Sequence, residues 1–281
     1  MDDRNTEQIA YWNGSGGQHW THRQQAQDNL LAPISQALIE RAAPRAGERA
    51  IDIGCGCGAT TLELAACVGS EGYVLGVDIS APMLARARER APHGTPVQFV
   101  EADATDYAFE AGRSDLIVSR FGVMFFAQPA ISFANLRRGL RSGGRLAFVC
   151  WRDPLQNPWQ MVPLQAAMEH VPRMPEQGPE APGPFSFARE ERVHRILAEA
   201  GFTSIGMEPL DFQLDLAAGR GLDAAVESAL EIGPASRALE GQPVEVREAA
   251  AQSIRKALAD ALVGRTVPLG SAVWVVTARS F

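Results

Sequence analysis

The sequence predicts an α/β protein, a doubly wound sheet whose strands end at a ligand crevice, and three observations lead there. Residues 50–61 read Ala-Ile-Asp-Ile-Gly-Cys-Gly-Cys-Gly-Ala-Thr-Thr: a short buried strand, a turn of alternating glycines, then a helix through Leu62, Leu64, Ala65 and Val68. Short apolar runs recur at 73–78, 97–103, 116–119 and 145–151, with helical segments between them. Two of these runs end in an acid, Asp78 and Asp103. At the carboxyl end of a parallel strand such a side chain faces the crevice where open α/β sheets take ligands. The amides at the start of the helix, and the missing Cβ atoms, make the glycine turn a cradle for a nucleotide-like group.

Composition narrows the function. A chain of 281 residues is long enough for a sizeable core with a cap. Its net charge of −7 disfavours a broad grip on nucleic acid, which depends on Lys and Arg neutralising phosphates, and so favours a small-molecule substrate. No apolar run of about 18 residues suggests a membrane span. The start, Met1-Asp2-Asp3-Arg4-Asn5, lacks the basic and apolar regions of a signal peptide, so a cytoplasmic protein is expected. Cys55, Cys57, Cys67 and Cys150 are too scattered for a disulfide framework, and Cys55-x-Cys57 lacks the second ligand pair of a zinc site, so no metal is expected.

The elements follow in order. Residues 9–43 should be helical in two pieces, the first stopping near Ala32 and the second opened by Pro33, with an apolar stripe of Leu31, Ile34 and Leu38. Ahead of the stripe, residues 11–22 mix glycines with Tyr11, Trp12 and Trp20. Either this arm is a lid that supplies aromatic walls to a pocket, or its aromatics anchor it to the rest of the chain. Ser80 is an N-cap candidate for a helix over 81–91. Residues 131–140 read as helix, and Arg141-Ser142-Gly143-Gly144 as the turn into the strand 145–151.

Residues 152–187 are rich in proline, with helix expected only around 161–170. Trp151, Trp159, Met161 and Phe185 are too apolar for a solvated tether, which makes this stretch an insertion at the ligand end of the sheet. A helix at 190–200 ends at Gly201, a sixth strand lies within 203–216, amphipathic helices occupy 222–232 and 246–263, and the last strand is 272–278. The organisation expected is an arm or lid at 1–45, a ligand-binding core at 46–151, a substrate cap at 152–188, and the end of the sheet at 189–281 with a helical insertion at about 221–264.

Two cofactor readings compete at the glycine turn. Gly54-x-Gly56-x-x-Ala59, with Asp78 about 20 residues on, fits a permissive dinucleotide fingerprint. The longer pattern Asp52-x-Gly54-x-Gly56-x-Gly58 resembles the first motif of the class I S-adenosylmethionine (SAM) dependent methyltransferases of the small-molecule type. The resemblance continues in order through 97–104, 114–121 and 143–149, and four motifs in order are more specific than one glycine loop. It implies a Rossmann-like sheet of seven strands with the last antiparallel beside the fifth, plus helical insertions, and SAM as cofactor with S-adenosylhomocysteine as product.

The resemblance also implies roles. Asp78 would accept both ribose hydroxyls, Asp103 the adenine amino group, and the backbone of Ala104 would read a ring nitrogen. Met83 lies either near the adenine or in ordinary core, and Asp103 has a surface turn as its plain alternative. Ser119, Arg120 and Phe121 would lie beside the methionyl part and the transferring methyl. Asp52, Gly54, Cys55, Gly56, Ile79 and, from the arm, Trp20 complete the expected cofactor set.

The sulfonium methyl needs mainly an aligned nucleophile, so the motifs mark the cofactor and leave the catalytic groups unassigned. Tyr11, His19, His22 and His170 are candidates to orient or deprotonate a substrate, and none is assigned as base. Neither an Asn/Asp-Pro-Pro-Tyr signature nor the acid cluster of magnesium-dependent catechol enzymes is present, so neither DNA nor magnesium is supported. Aromatic and methionine content suggests an apolar or aromatic metabolite as acceptor, with homodimerisation left open. The alternatives are a non-methylating SAM enzyme such as a cyclase or pericyclase, and a SAM-binding regulatory module. A short-chain oxidoreductase is disfavoured, because none of Tyr11, Tyr73 or Tyr107 has Lys four residues on.

Overall fold

The structure is a computed structural model that describes residues 3–171, 178 and 180–281. An arm of three helices, α1 (Asp3–Asn13), α2 (Ser15–His22) and α3 (Gln24–Ala42), leads into β1 (Arg49–Ile53). There follow α4 (Ala59–Val68), β2 (Tyr73–Asp78), α5 (Ala81–Arg90), β3 (Val97–Glu101), β4 (Ser114–Arg120), α6 (Pro129–Gly139) and β5 (Leu140–Trp151). Beyond these come α7 (Pro158–Met168), α8 (Glu190–Glu199), β6 (Thr203–Asp215), α9 (Leu222–Glu231), α10 (Pro234–Ala238), α11 (Val244–Ala259) and β7 (Pro268–Arg279). Among the described residues no helix is long and apolar enough to cross a membrane.

The seven strands form one sheet in the order β3-β2-β1-β4-β5-β7-β6. The first five are mutually parallel, and β7 runs antiparallel between β5 and β6, as the resemblance implied. Strand β1 has β2 on one side and β4 on the other, so the connections diverge there and leave the crevice in which such sheets bind ligands. Leu146 through Trp151 are all buried, which requires cover on both faces of the sheet. Leu38 and Ile34 of α3 are fully buried, and each contributes on the order of 2 kcal/mol of hydrophobic stabilisation.

Several boundaries differ from those read in the sequence, each for a local reason. Helix α3 runs straight through Pro33, and the arm breaks instead at Gly14 and Arg23. Pro33 and Asn29 both lie on the exposed side of α3, so water can satisfy the carbonyl that the missing N–H leaves open. Strand β5 starts at Leu140 rather than Arg145: Ser114 pairs with Leu140 and Leu116 with Arg145, so residues 141–144 bulge within the strand instead of forming a turn before it. Helix α7 begins at Pro158 and contains Pro163. The helix expected over 246–263 ends at Ala259, and α10 had no counterpart in the sequence reading. Of the proline-rich stretch, 172–177 and Pro179 lie outside the described residues.

Gly16 and Gly17, past the break at Gly14, are not hinges. Both are buried inside α2, and a Cβ on Gly17 would fall 1.9 Å from the Trp12 carbonyl oxygen and 2.8 Å from Ser80 Oγ. They let α2 fold hard against α1 and against the loop after β2.

Candidate active site

The ends of β1, β2 and β4, the loop after β3, the arm, α7 and the residues around α10 enclose one cavity of about 450 Å3. Glycine placement at its floor follows from chain packing as much as from any ligand. A Cβ on Gly54 would meet the Gly122 backbone at 2.7 Å, and one on Gly58 would meet Ala87 at 3.0 Å, so two chain segments already fill those spaces. A Cβ on Gly56 would instead meet the flexible end of Met83, with Cε 2.7 Å away, and both residues line the cavity. All three glycines are left-handed, at φ 65°, 53° and 82°.

Asp78 organises the turn. Its Oδ2 accepts the Gly56 amide and its Oδ1 the Ser80 amide, both at 2.8 Å. Lost hydration nevertheless raises its carboxyl above the usual range, against the pull of those amides. Each carboxylate oxygen has a second lone pair, so the group can accept two further hydroxyls. Strand β3 stops at Glu101 and not at the expected 103, which puts Asp103 at the start of the loop that follows; it accepts the Thr105 amide at 2.8 Å and, on its other oxygen, the carboxamide of Asn5. An arm residue thus donates an amide N–H where an exocyclic amine is expected.

Of the residues singled out from the sequence, Trp20, Gly54, Cys55, Gly56, Asp78, Ile79, Met83, Asp103, Ala104, Arg120 and Phe121 all lie on this cavity. Asp52 and Ser119 do not line it. Asp52 is 1 % exposed behind the turn, with Oδ2 accepting from Thr61 Oγ1 at 2.7 Å and Oδ1 unpartnered. Burial pushes its carboxyl up to about 7. The Ser119 hydroxyl donates to Ile53 O at 2.7 Å and accepts the Gly122 amide at 3.2 Å, clamping the ends of β1 and β4 together.

Ser80 does not cap α5 with its side chain. Its hydroxyl donates to Trp12 O at 2.6 Å, and the cap comes from Asn13, whose Oδ1 accepts the Ala81 amide at 2.9 Å. Burial raises the thiols of Cys55 and Cys57, the latter to about 11, so both stay protonated near neutrality.

Aromatic side chains wall the remainder. Trp12 lies edge-on to Trp20 at 6.3 Å and to Phe125 at 5.2 Å. Phe121, a non-glycine residue at φ 63°, stacks on Trp151 at 4.0 Å and 10°, and Trp151 in turn meets Trp159 at 5.1 Å. Such a backbone costs on the order of 1–2 kcal/mol, which the stack helps to offset. Of the four candidates for proton transfer only Tyr11 is on the cavity, and burial raises its phenol, so near neutrality it donates rather than accepts a proton. His19 and His22 are exposed on the arm, and His170 Nε2 lies 2.8 Å from Ser253 Oγ.

The sequence reading missed a polar cluster on α3. Gln24 donates to Asp28 at 2.5 Å, and Asp28 pairs with Arg90 at 2.9 Å and Arg120 at 3.5 Å, while Gln27 is 2 % exposed with its Oε1 unpartnered. The available signal was the spacing: Gln24, Gln27 and Asp28 continue the Leu31, Ile34, Leu38 stripe toward the helix start, where apolar residues give way to polar ones.

Comparison with known proteins places this geometry among known folds. A family model described as a methyltransferase domain matches residues 50–144. Aklanonic acid methyltransferase of a Streptomyces species (strain C5) is 34 % identical over 152 residues, covering 51 % of this chain and 69 % of that protein. Demethylmenaquinone methyltransferase of Clavibacter sepedonicus is 35 % identical over 118 residues, covering 42 % of this chain and 47 % of that one, so the chain spans about half of its length. Among solved structures, Haemonchus contortus phosphoethanolamine N-methyltransferase 2 in complex with S-adenosyl-L-methionine superposes with a TM-score of 0.57 at 16 % identity, covering 100 % of this chain and 60 % of that one.

Proposed function

The chain belongs to the class I SAM-dependent methyltransferases, and from that premise we propose that it moves a methyl group onto a small apolar or aromatic metabolite. One observation carries the reading: the carboxylates of Asp78 at the end of β2 and Asp103 just past the end of β3, and the aromatic wall of Trp12, Phe121, Trp151 and Trp159, open into the same cavity. The relatives named for aklanonic acid and for demethylmenaquinone support an acceptor with a ring system.

The residues fit the cofactor. In this proposal Asp78 holds two ribose hydroxyls with its spare lone pairs, Asp103 accepts the adenine amino group in place of Asn5, and Ile79 and Met83 bracket the base. Gly56 leaves room for the nucleoside beside Met83. When bound, SAM supplies an electrophilic methyl on a sulfonium.

The chain's own part is alignment and exclusion of water. Stacking of Phe121 on Trp151 fixes the end of β4 against the end of β5, so an acceptor ring lying on that wall is held at one orientation. Such alignment supplies up to about 7–11 kcal/mol by removing the entropy of encounter. Tyr11, protonated and on the cavity wall, can orient an acceptor oxygen by donating to it.

Calorimetry with SAM, S-adenosylhomocysteine and NAD tests the cofactor, and mass spectrometry of hydroxylated naphthoquinones and polycyclic phenols incubated with SAM tests the reaction. SAM binding with one added methyl on an acceptor is the expected result. NAD binding in preference to SAM would refute the cofactor, and a rearranged acceptor of unchanged mass would refute methyl transfer.

A further inference from the structure

Arg120 and Arg237 stand on the cavity wall, and among the described residues only Arg120 is answered by a carboxylate. Arg120 has Asp28 at 3.5 Å and the Ser35 hydroxyl at 2.8 Å. Arg237, on the short helix α10, forms no ion pair among the described residues, in a chain with 33 acidic and 26 basic side chains. Its guanidinium lies 4.7 Å from the centre of the Tyr11 ring. Glu240 is three residues on and acts on Tyr11 electrostatically, yet it makes no ion pair with Arg237.

A guanidinium above a ring keeps its in-plane N–H donors for another partner, and their fork matches a carboxylate bidentately. Arg237 is exposed on its outer side and lines the cavity on its inner one, so it stands at the rim. Behind it the wall is aromatic, and the cavity's acids Asp28, Asp78 and Asp103 each have a partner already.

We infer that Arg237 selects the methyl acceptor by charge: the acceptor carries a carboxylate, which the Arg237 fork binds at the rim while the ring system lies along Trp12, Trp151 and Trp159. This rests on the methyl-transfer reading and adds to it the class of acceptor, an aromatic or polycyclic acid. Tyr11 is then a positioning residue, holding the guanidinium over its ring. The competing role for the Arg237–Tyr11 contact is purely structural, a pin that keeps the arm closed, and a pin would be indifferent to the charge of whatever lies beneath.

The test uses two flat probes that differ in charge, 2-naphthoate and 2-naphthol, titrated calorimetrically into the full chain saturated with S-adenosylhomocysteine. Proteins compared are the wild type, Arg237→Met and Arg237→Lys, the last keeping the charge without the fork. The expected result is 2-naphthoate binding that is about tenfold weaker in Arg237→Met, intermediate in Arg237→Lys, and weakened by salt in the wild type, with 2-naphthol unaffected by either substitution. Equal losses for both probes, no difference between wild type and Arg237→Met for 2-naphthoate, or no binding of 2-naphthoate to the wild type would each overturn the inference. Should Arg237→Met fail to fold, the salt dependence and the Arg237→Lys titration decide it. SAM titrated into the same proteins reads the cofactor separately: charge discrimination through Arg237 without SAM binding would refute methyl transfer and leave the charge selection standing.

Discussion

Asn13 Oδ1 lies 2.9 Å from the Ala81 amide, so the helix that follows Asp78 is capped by a side chain from the N-terminal arm, 68 residues away in sequence. The same carboxamide donates through Nδ2 to Ile79 O at 2.8 Å, and Ser80 Oγ donates back to Trp12 O. Arm and sheet are therefore joined at the loop that carries Asp78. Asn13→Ala removes both of these bonds, along with the one Nδ2 donates to Ile9 O at 3.0 Å, and should lower unfolding free energy by about 1–2 kcal/mol. Urea denaturation measures this, and amide exchange should show α1 and α2 opening more often than α3. An unchanged midpoint and unchanged exchange would mean that the Asn13 bonds contribute nothing to holding the arm.

Asp78→Ala should weaken SAM binding by at least tenfold. It removes the proposed ribose acceptor and also frees the Gly56 and Ser80 amides that hold the glycine turn in place. Isothermal titration with SAM is the measurement, and wild-type affinity in this variant would contradict the ribose role.

Gly56→Val places a β-branched side chain at φ 53°, with its Cβ 2.7 Å from Met83 Cε. The backbone penalty is on the order of 1–2 kcal/mol, while Met83 can swing its flexible end aside, so the fold should survive. Circular dichroism should match the wild type while SAM binding is lost. Full binding by the folded variant would argue that the cofactor does not pass beside this residue.

Asp52 makes stability depend on pH in an unusual direction. Its carboxyl titrates at about 7 in the folded chain, because burial disfavours the charge more than Thr61 and Arg120 favour it. Unfolded, it titrates near the ordinary value of about 4. Between those values the folded state holds a proton that the unfolded chain has released. Stability from this group is therefore present at the acid end and falls as pH rises toward 7, by at most about 1.4 kcal/mol per pH unit. Asp52→Asn should flatten that fall. Denaturation midpoints measured from pH 5 to pH 8 check it, and parallel curves for the two proteins would show that Asp52 stays ionised throughout.

The sheet was legible because its signals are local. Strands β1 to β4 are short, largely apolar runs, the turn after Ile53 is written in alternating glycines, and Asp78 and Asp103 stand at and just past strand ends. Pairing of β5 with β7 came only with the family resemblance, since antiparallel closure leaves no mark in either strand. The arm was less legible. In the sequence Gly16 and Gly17 leave lid and anchored arm undecided, and their service in close packing against Tyr11 and Trp12 depends on which helix lies opposite. Ser80 stands in the right place and is the right residue type for a cap, but a distant asparagine takes that role and redirects its hydroxyl. Arg237 carried no signal in its neighbourhood at all, because its significance comes from Tyr11 at the other end of the chain.

Ion pairs and the ring contact between the arm and the penultimate helices have a temporal consequence. Arg23 reaches Glu231 at 2.6 Å and Glu227 at 3.5 Å, and the latter pair is separated by 204 residues of chain. As a ribosome makes the protein, the arm is in place well before α9, and its ion pair to Glu227 can form only after 204 further residues have been added. Until then its hold on the rest of the chain rests on earlier partners such as Ser80, Ala81 and Phe125.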